Sequence, residues 1–515
     1  MATKELGREQ WGTRAGFVMA AIGSAVGLGN IWRFPYIAYD NGGGAFLVPY
    51  LVALFTAGIP LLIFEYAIGH RYRGAAPRAF LPMARPAQAI GWWQVAMCFV
   101  IGTYYAVIIA WAVRYTGFSI GQQWGDNPEQ FLMSDFLQVA DAPGMVSSYV
   151  AGVAWPLIGV WVVTLGIVAL GVRRGLEKAN QIFIPLLVVL FLILVVRALF
   201  LPGAEIGLNA LFTPDWSAIT NGQVWIAAYG QIFFSLSVGF GIMITYASYL
   251  HRRADLSGSA LVAGFANSSF EILAGIGVFA SVGFMAAKSG VAVDQVVTDG
   301  IGLAFIAFPQ IISTLPGGAT LFGLLFFGSL VLAGLTSLIS IVQVVVSAVQ
   351  DRTGMRRGPS VAIVGGAIAL ASILLFPTSE GLYILDAVDH FINQYGIALA
   401  GLVTVITVGW LLRKLGMLKD HVNASSAVPL GQWWTITLSV ITPIILGWMT
   451  WDSLRTELST NYEDYPTSFL LIAGWGVVIG VIVIAVLISL IPWRRSVPDS
   501  EHFHLNTVEQ EAGSR

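Results

Sequence analysis

Gly23-Ser24-Ala25-Val26-Gly27-Leu28-Gly29-Asn30 interrupts a long apolar run near the start of the chain, with glycine at three of its eight positions. A glycine in a helix interior costs about 1 kcal/mol relative to alanine, so the stretch is a poor helix former inside a segment apolar enough to cross a membrane. At membrane depth, backbone groups freed from a helix are tolerated only where they face protein or a water-filled cavity. The stretch therefore predicts a broken transmembrane helix whose carbonyls and amides are offered to a ligand.

The rest of the chain is of the same class. Of 515 residues, 57% are hydrophobic and 10% charged, with a mean hydropathy of +0.77. These values exclude a water-soluble globular protein and imply a polytopic membrane protein. A net charge of −2 gives no basis for nucleic-acid binding. Cys98 is the single cysteine, which excludes an internal disulfide. Met1 to Arg14 is polar, and the first apolar run lacks a small-residue cleavage site followed by a soluble domain, so no signal peptide is expected.

Apolar runs able to cross roughly 30 Å of hydrocarbon fall near 14–37, 42–69, 88–120, 151–170, 180–200, 222–250, 258–287, 319–350, 359–376, 383–412, 431–450 and 467–492. They predict twelve crossings in an all-α fold. Val291 to Gly318 is interrupted by Asp294, Asp299, Pro309 and Pro316 and reads as a folded extracellular loop with short helices. Arg71, Arg73, Arg78 and Arg85 follow the second crossing. Later even-numbered connections carry Arg173, Arg174 and Lys178, then Arg252 and Arg253, then Arg352, Arg356 and Arg357, then Arg413, Lys414 and Lys419. Gln122 to Val150 carries Asp126, Glu129, Asp135 and Asp141 with no Lys or Arg. This bias places the basic connections and both termini in the cytoplasm.

A second weak stretch, Ser235-Leu236-Ser237-Val238-Gly239-Phe240-Gly241, lies in the sixth crossing. An odd number of crossings between equivalent elements inverts the second copy, and paired breaks in inverted halves point to a transporter's midplane site. Small residues also let helices pack closely, but matching positions with ion-type ligands favour a binding site. The predicted organisation is a cytoplasmic segment 1–13, a first repeat 14–200, an inverted repeat 222–412, two more crossings within 431–492 and a cytoplasmic tail 493–515.

Gly29-Asn30-Ile31-Trp32-Arg33-Phe34-Pro35, Asn41-Gly42-Gly43-Gly44-Ala45-Phe46, and Gly239-Phe240-Gly241 with Ile244-Thr245-Tyr246 together resemble the neurotransmitter:sodium symporters, especially their prokaryotic amino-acid transporters. The resemblance runs from about Arg8 to the twelfth crossing. It implies a leucine-transporter-like, 5+5 inverted-repeat fold with the first and sixth helices broken. It implies a protein of the plasma (inner, cytoplasmic) membrane that takes up an amino acid coupled to sodium, with the bilayer, sodium and the amino acid as its partners.

By that resemblance, one sodium ion is held by the Ala25 carbonyl, the Asn30 and Asn267 amide oxygens, Ser235 and a substrate carboxylate oxygen. A second lies between the Gly23, Val26 and Ala333 carbonyls and the Thr336 and Ser337 hydroxyls, the last three residues sharing one helical face. Taken alone, Thr336 and Ser337 read as hydroxyls bonded back to their own helix. Ser235 stands where prokaryotic relatives often have Thr. Neutral oxygens suit a hard cation at a depth where a fixed charge costs roughly 2.5 to 3.5 kcal/mol. Ile101, Tyr105 and Ile108 share a face, and the resemblance assigns the Tyr105 hydroxyl and the amides near Leu28 and Gly29 to a substrate carboxylate. Carbonyls around Phe234 and Ser237 take the ammonium, and Phe234, Phe240, Ser337 and Ile341 shape the side-chain space. Without the motifs this stripe would read as ordinary helix packing.

Amine-carrying relatives have an aspartate at the place of Gly27; its absence implies a substrate that brings its own carboxylate, with a neutral aliphatic side chain. An aromatic amino acid is the alternative. Glu271 lies four residues after Asn267 on one face, and an acid there implies independence from chloride. Arg33 with Asp389 and the Phe240 lid form the expected outer gate. Arg8 with Asp351, beside Trp11 and Tyr249, forms the inner one, as exposed pairs worth about 0 to 1 kcal/mol. Asp386 is a neighbour of Asp389 with no assigned role. A channel, an intramembrane enzyme and a transport-inactive amino-acid sensor are the rival classes; no HExxH or paired intramembrane carboxylates favour an enzyme. His70 and His251 read as solvated or interfacial.

Overall fold

The computed structural model describes residues 8–144, 148–298 and 300–493. Most of the predicted tail and residues 1–7 of the predicted N-terminal segment lie outside these described residues. The broken first crossing consists of α1 (Arg14–Ala25) and α2 (Leu28–Asp40), bent by 55° at the break. Then follow α3 (Gly44–Tyr72), α4 (Arg85–Phe118), α5 (Ala151–Ala169), α6 (Val172–Leu199) and the short α7 (Ala204–Phe212). The sixth crossing is again two pieces, α8 (Gly222–Ser235) and α9 (Ile242–Ala247). It is followed by α10 (Leu256–Ser289), the shorter α11 (Gly300–Thr314), α12 (Ala319–Thr353), α13 (Arg357–Leu375) and α14 (Gly381–Leu411). The short α15 (Leu415–Asn423), α16 (Gln432–Asp464) and α17 (Thr467–Leu490) complete the chain.

Ten of these helices are long and apolar enough to span a membrane, and the bent pair α1–α2 makes eleven. The remaining predicted crossing, 222–250, is the pair α8–α9. Among the described residues, β-structure is limited to two isolated bridges, Gly43 with Pro214 and Tyr149 with Thr378.

Three boundaries differ from the sequence reading. The first break is narrower than Gly23 to Asn30: only Val26 and Gly27 are non-helical, because Leu28 to Asn30 start a new helix. The fifth crossing begins at Val172 rather than near 180, since Arg173, Arg174 and Lys178 fall within a helical turn that hydropathy cannot register. The eleventh runs on to Asp464 instead of ending at 450, carrying Asp452, Arg455 and Glu457 beyond its apolar half.

Burial sorts the helices into a core and a rim. α12 is enclosed along most of its length, whereas α5, α6, α13 and α17 expose Val162, Ile193, Ile363 and Leu487 on their outer faces. Exposed aliphatic side chains on long apolar helices suit contact with lipid. The predicted folded loop is present as α11, whose Phe305 meets Trp32 at 6.5 Å, Trp111 at 5.9 Å and Tyr115 at 5.0 Å between ring centroids. The turn between α2 and α3 needs its glycines, since Gly42 and Gly43 have φ of 98° and 58°.

Backbone approach between α7 and α10 is equally close, because a Cβ on Gly207 would fall on the Phe279 carbonyl. Gly207→Leu should therefore destabilise the protein by about 1 to 3 kcal/mol through overpacking. The test is the thermal midpoint of the purified protein in detergent; an unchanged midpoint would show that α7 does not seat on α10.

Candidate functional site

The first break exposes main-chain groups in a defined way. Thr13 caps the start of α1 by accepting from the Gly16 amide at 2.9 Å, and the helix stops at Ala25. Val26 and Gly27 are extended, and the Gly27 N–H donates to Asn30 Oδ1 at 2.9 Å. Carbonyls at the end of α1 and amides at the start of α2 are thereby released from helical pairing. The Leu28 amide donates to the Tyr105 hydroxyl at 3.4 Å.

The second break meets the first. Ser237, Gly239 and Gly241 all have positive φ, 53°, 87° and 74°, so the chain between α8 and α9 turns in the left-handed region. The Ser237 hydroxyl donates to the Ser24 carbonyl at 2.9 Å, joining the two interruptions directly. Buried Glu65 of α3 accepts from the Gly239 amide at 2.6 Å. The sequence reading passed over Glu65; the rule for intramembrane acids that selected Glu271 would have found it.

Side chains predicted for the first sodium site form one chain of hydrogen bonds. Asn30 Nδ2 donates to Asn267 Oδ1 at 2.8 Å, and Asn267 Nδ2 donates to Ser235 Oγ at 3.0 Å. Glu271 lies beside Ser235. Glu271 is fully buried and accepts from Gln231 Nε2 at 2.6 Å and from the Tyr50 hydroxyl. The second predicted set is brought together only in part. Ser337 Oγ lies 3.5 Å from the Gly23 carbonyl and 3.4 Å from that of Ser24. Thr336 instead donates to Ala333 at 2.9 Å within its own helix, as β-hydroxyls in helices commonly do.

A cavity of about 190 Å³ sits between the breaks. Its wall includes every residue predicted to touch substrate, with Ala25, Leu28 and Gly29 on one side, Ile101, Tyr105 and Ile108 on the second, and Phe234, Ser237, Phe240, Ser337 and Ile341 opposite. Gln231, Tyr104 and Asn393 also line it and were not foreseen. Asn393 stands one helical turn after Asp389, the spacing that would have revealed it.

The two ends of the cavity differ. Arg8 Nη1 meets Asp351 at 2.5 Å, and its guanidinium lies 4.7 Å from the centre of the Tyr249 ring. Burial would lower the Arg8 pKa, but Asp351 and Tyr249 outweigh it and hold it above the ordinary range. Trp11 is buried and donates to the Tyr246 carbonyl at 2.9 Å. Asp351 also accepts from the Ala75 amide at 2.7 Å and pairs with Arg78 at 3.5 Å. This is a largely buried cluster rather than the exposed pair expected, because the N-terminal arm folds across the ends of α9 and α12. At the other end, Arg33 and Asp389 both border the cavity. Arg33 lies over the Phe234 ring at 4.7 Å, and the Asp389 carboxylate accepts from Asn393 at 2.9 Å, with Tyr104 beside it. Asp386 turns away to Tyr462 and Tyr465. His70 is buried, against the solvated reading, with Nδ1 2.8 Å from His421 and Nε2 2.9 Å from the His251 carbonyl. His251 itself is exposed.

A family model described as the sodium:neurotransmitter symporter family matches residues 8–135 and 119–497. The chain belongs to that family. An uncharacterised sodium-dependent transporter of Methanocaldococcus jannaschii is 41% identical over 466 residues, covering 90% of this chain and 94% of that one. The sodium-dependent serotonin transporter of Drosophila melanogaster is 32% identical over 485 residues, covering 87% of this chain and 76% of that one. Among solved structures, MhsT in complex with L-phenylalanine superposes with a TM-score of 0.73 at 32% identity, covering 87% of this chain and 100% of that one. This symporter is thus a sodium-dependent, multi-pass membrane transporter with the inverted-repeat fold that the sequence predicts, and not an enzyme.

In the symporter, Arg8→Ala should detach the N-terminal arm while Asp351 keeps Ala75 and Arg78. Cys98 is buried, so a cysteine placed by Ser340→Cys in a Cys98→Ala background reports access from the Arg8 end. Its labelling by a water-soluble maleimide should rise several-fold with Arg8→Ala; equal labelling in both backgrounds would deny the cluster a gating role.

Proposed function

We propose that this chain couples two sodium ions to the uptake of a neutral α-amino acid with an apolar side chain, across the cytoplasmic membrane, by alternating access and without chloride. The observation that carries the reading is the position of Gly27. A Cβ there would stand 3.1 Å from both the Tyr105 hydroxyl and Ser337 Oγ, so a side chain at 27 would enter the cavity. None is present. Among the described residues, Asp389 is the acidic side chain lining the cavity, and Asn393 already engages it, with Tyr104 beside it. A substrate carboxylate is left to meet the α2 amides and Tyr105, where a helix N-terminus favours an anion, and to complete the first sodium site.

The wall opposite supports an apolar side chain. Ile101, Ile108, Ile341, Phe234 and Phe240 enclose it, while the Ser237 and Ser337 hydroxyls are directed at the Ser24 carbonyl. Aliphatic acids such as alanine, valine, leucine and methionine fit this surface. The phenylalanine held by MhsT makes an aromatic acid the second candidate. Each sodium site draws on neutral oxygens: Ala25, Asn30, Asn267 and Ser235 for the first, and Gly23, Val26, Ala333, Thr336 and Ser337 for the second, with Thr336 turning from its own helix to bind. Glu271, served by the Tyr50 and Gln231 donors, offsets the cation charge in place of chloride.

Two sodium ions with a zwitterion crossing about 100 mV release roughly 4.6 kcal/mol, worth around three decades of accumulation. The basic connections support cytoplasmic termini, which makes the Arg8–Asp351 end the inner gate. With that end shut and the cavity bordered by Arg33 and Asp389, the arrangement is an outward-facing one, poised for substrate to enter past Phe240.

Proteoliposomes offered a panel of labelled amino acids with and without a sodium gradient test the reading. Saturable, sodium-driven uptake of aliphatic acids is expected; uptake of aromatic acids alone would move the assignment to them, and sodium-dependent binding without uptake would mark a sensor. Gly27→Asp should reduce amino-acid uptake to background, and undiminished uptake would remove the substrate-carboxylate argument. Glu271→Ser should make uptake chloride-dependent; equal rates with and without chloride in both forms would count against charge balance by Glu271.

A further inference from the structure

α6 lies along α1 between the first break and the N-terminal arm, and it presents two buried oxygen-bearing side chains there. Asn180 is wholly buried, and its Nδ2 donates to the Leu176 carbonyl at 2.8 Å. That bond fixes the amide, so Oδ1 points at α1. Among the described residues Oδ1 has no hydrogen-bond partner, a condition rare for a buried carbonyl oxygen and one that asks for an explanation. It faces Gly23, where any side chain would fall on it. Three residues earlier, on the same face, buried Glu177 accepts from the Gly12 amide at 2.6 Å and the Thr13 hydroxyl at 2.9 Å. Gly16 faces it, and a Cβ there would collide with the Glu177 carboxylate. The α1 side of the seam is glycine, and the α6 side is oxygen.

We propose that Asn180 Oδ1 is a transient ligand for sodium, receiving the ion as it leaves the Gly23, Val26 and Ser337 set and passing it along the α1–α6 seam toward Glu177 and the Arg8 end. The proposal rests on the assignment of that set to the second sodium ion. A neutral amide oxygen held in place without a partner can enter a sodium coordination shell without first breaking a protein hydrogen bond. Being uncharged, it releases the ion again. Glu177, whose carboxylate is already shared by the arm, supplies attraction at the far end, and opening of the arm frees it.

The test uses the full chain and sodium alone as probe. Asn180→Leu should leave equilibrium binding of radioactive sodium within about twofold while slowing sodium dissociation and transport turnover on the order of tenfold, with the KM for amino acid unchanged. Asn180→Gln, which keeps a neutral amide oxygen, should restore the rate of dissociation. If Asn180→Leu fails to assemble, Asn180→Ala removes the oxygen without adding bulk and carries the same comparison. Unchanged dissociation and turnover in a folded variant would overturn the proposal. Equilibrium affinity falling in step with turnover would do so too, making Asn180 a ligand of the resting site. Absence of sodium binding by the unmodified chain would instead overturn the site assignment beneath it.

Discussion

In an unbroken helix the Gly27 N–H would serve the Gly23 carbonyl; here it donates to Asn30 Oδ1 at 2.9 Å, and the rest of the site depends on that change of partner. It ends α1, caps α2 and leaves carbonyls at the end of the first helix without helical donors. An unpaired buried carbonyl costs about 1 to 3 kcal/mol, so the break persists only because other groups occupy or await those oxygens. Ser237 and Ser337 take the Ser24 carbonyl from two different elements, α8–α9 and α12. The break is thus held open by contacts that also define the cavity wall.

From Asn30 the constraint runs on through Asn267 to Ser235, beside Glu271. Every link is a side chain able to exchange a protein hydrogen bond for a cation. Amide oxygens and hydroxyls do this at small electrostatic cost, whereas a fixed charge at the same depth would be held or expelled. The carboxyl of Glu271 beside that chain is held by two donors, Tyr50 and Gln231. On the proposed sodium assignment, a cation held by Asn30 and Asn267 would pull on Ser235 through the same chain of hydrogen bonds.

Much of this was legible in the residues. The crossings follow from apolar runs, and all the lining residues assigned from the family motifs do border the cavity, because glycine and hydroxyl positions set where backbone can open. What escaped depends on partners far apart in sequence. Glu65 is an intramembrane acid that the sequence could have flagged, but its partner, the Gly239 amide, lies 174 positions away and no local pattern pairs the two. His70 lies at a helix end, where sequence suggests water, yet α15 covers it through His421. Thr336 reads equally as an ion ligand or a back-bonded hydroxyl, and in this state its own helix wins. Asn180 resembles any helix-end amide until its oxygen is seen to have no partner.

The unequal ends of the cavity carry the mechanical consequence. Arg8 bonds Asp351 and Ser248 and stacks on Tyr249, while Asp351 has its own further partners in Ala75 and Arg78. Removing one member of a buried charge cluster costs several kcal/mol because the remaining charge is stranded. Asp351, however, keeps two partners when Arg8 leaves. The arm can therefore detach without stranding the carboxylate, and the cost of opening falls mainly on the guanidinium, which water solvates as it emerges. Arg33, by contrast, rests on an aromatic face and borders the open cavity. A transporter built this way holds the Arg8 end shut by many shared bonds, while Arg33 and Asp389 border the cavity at the other.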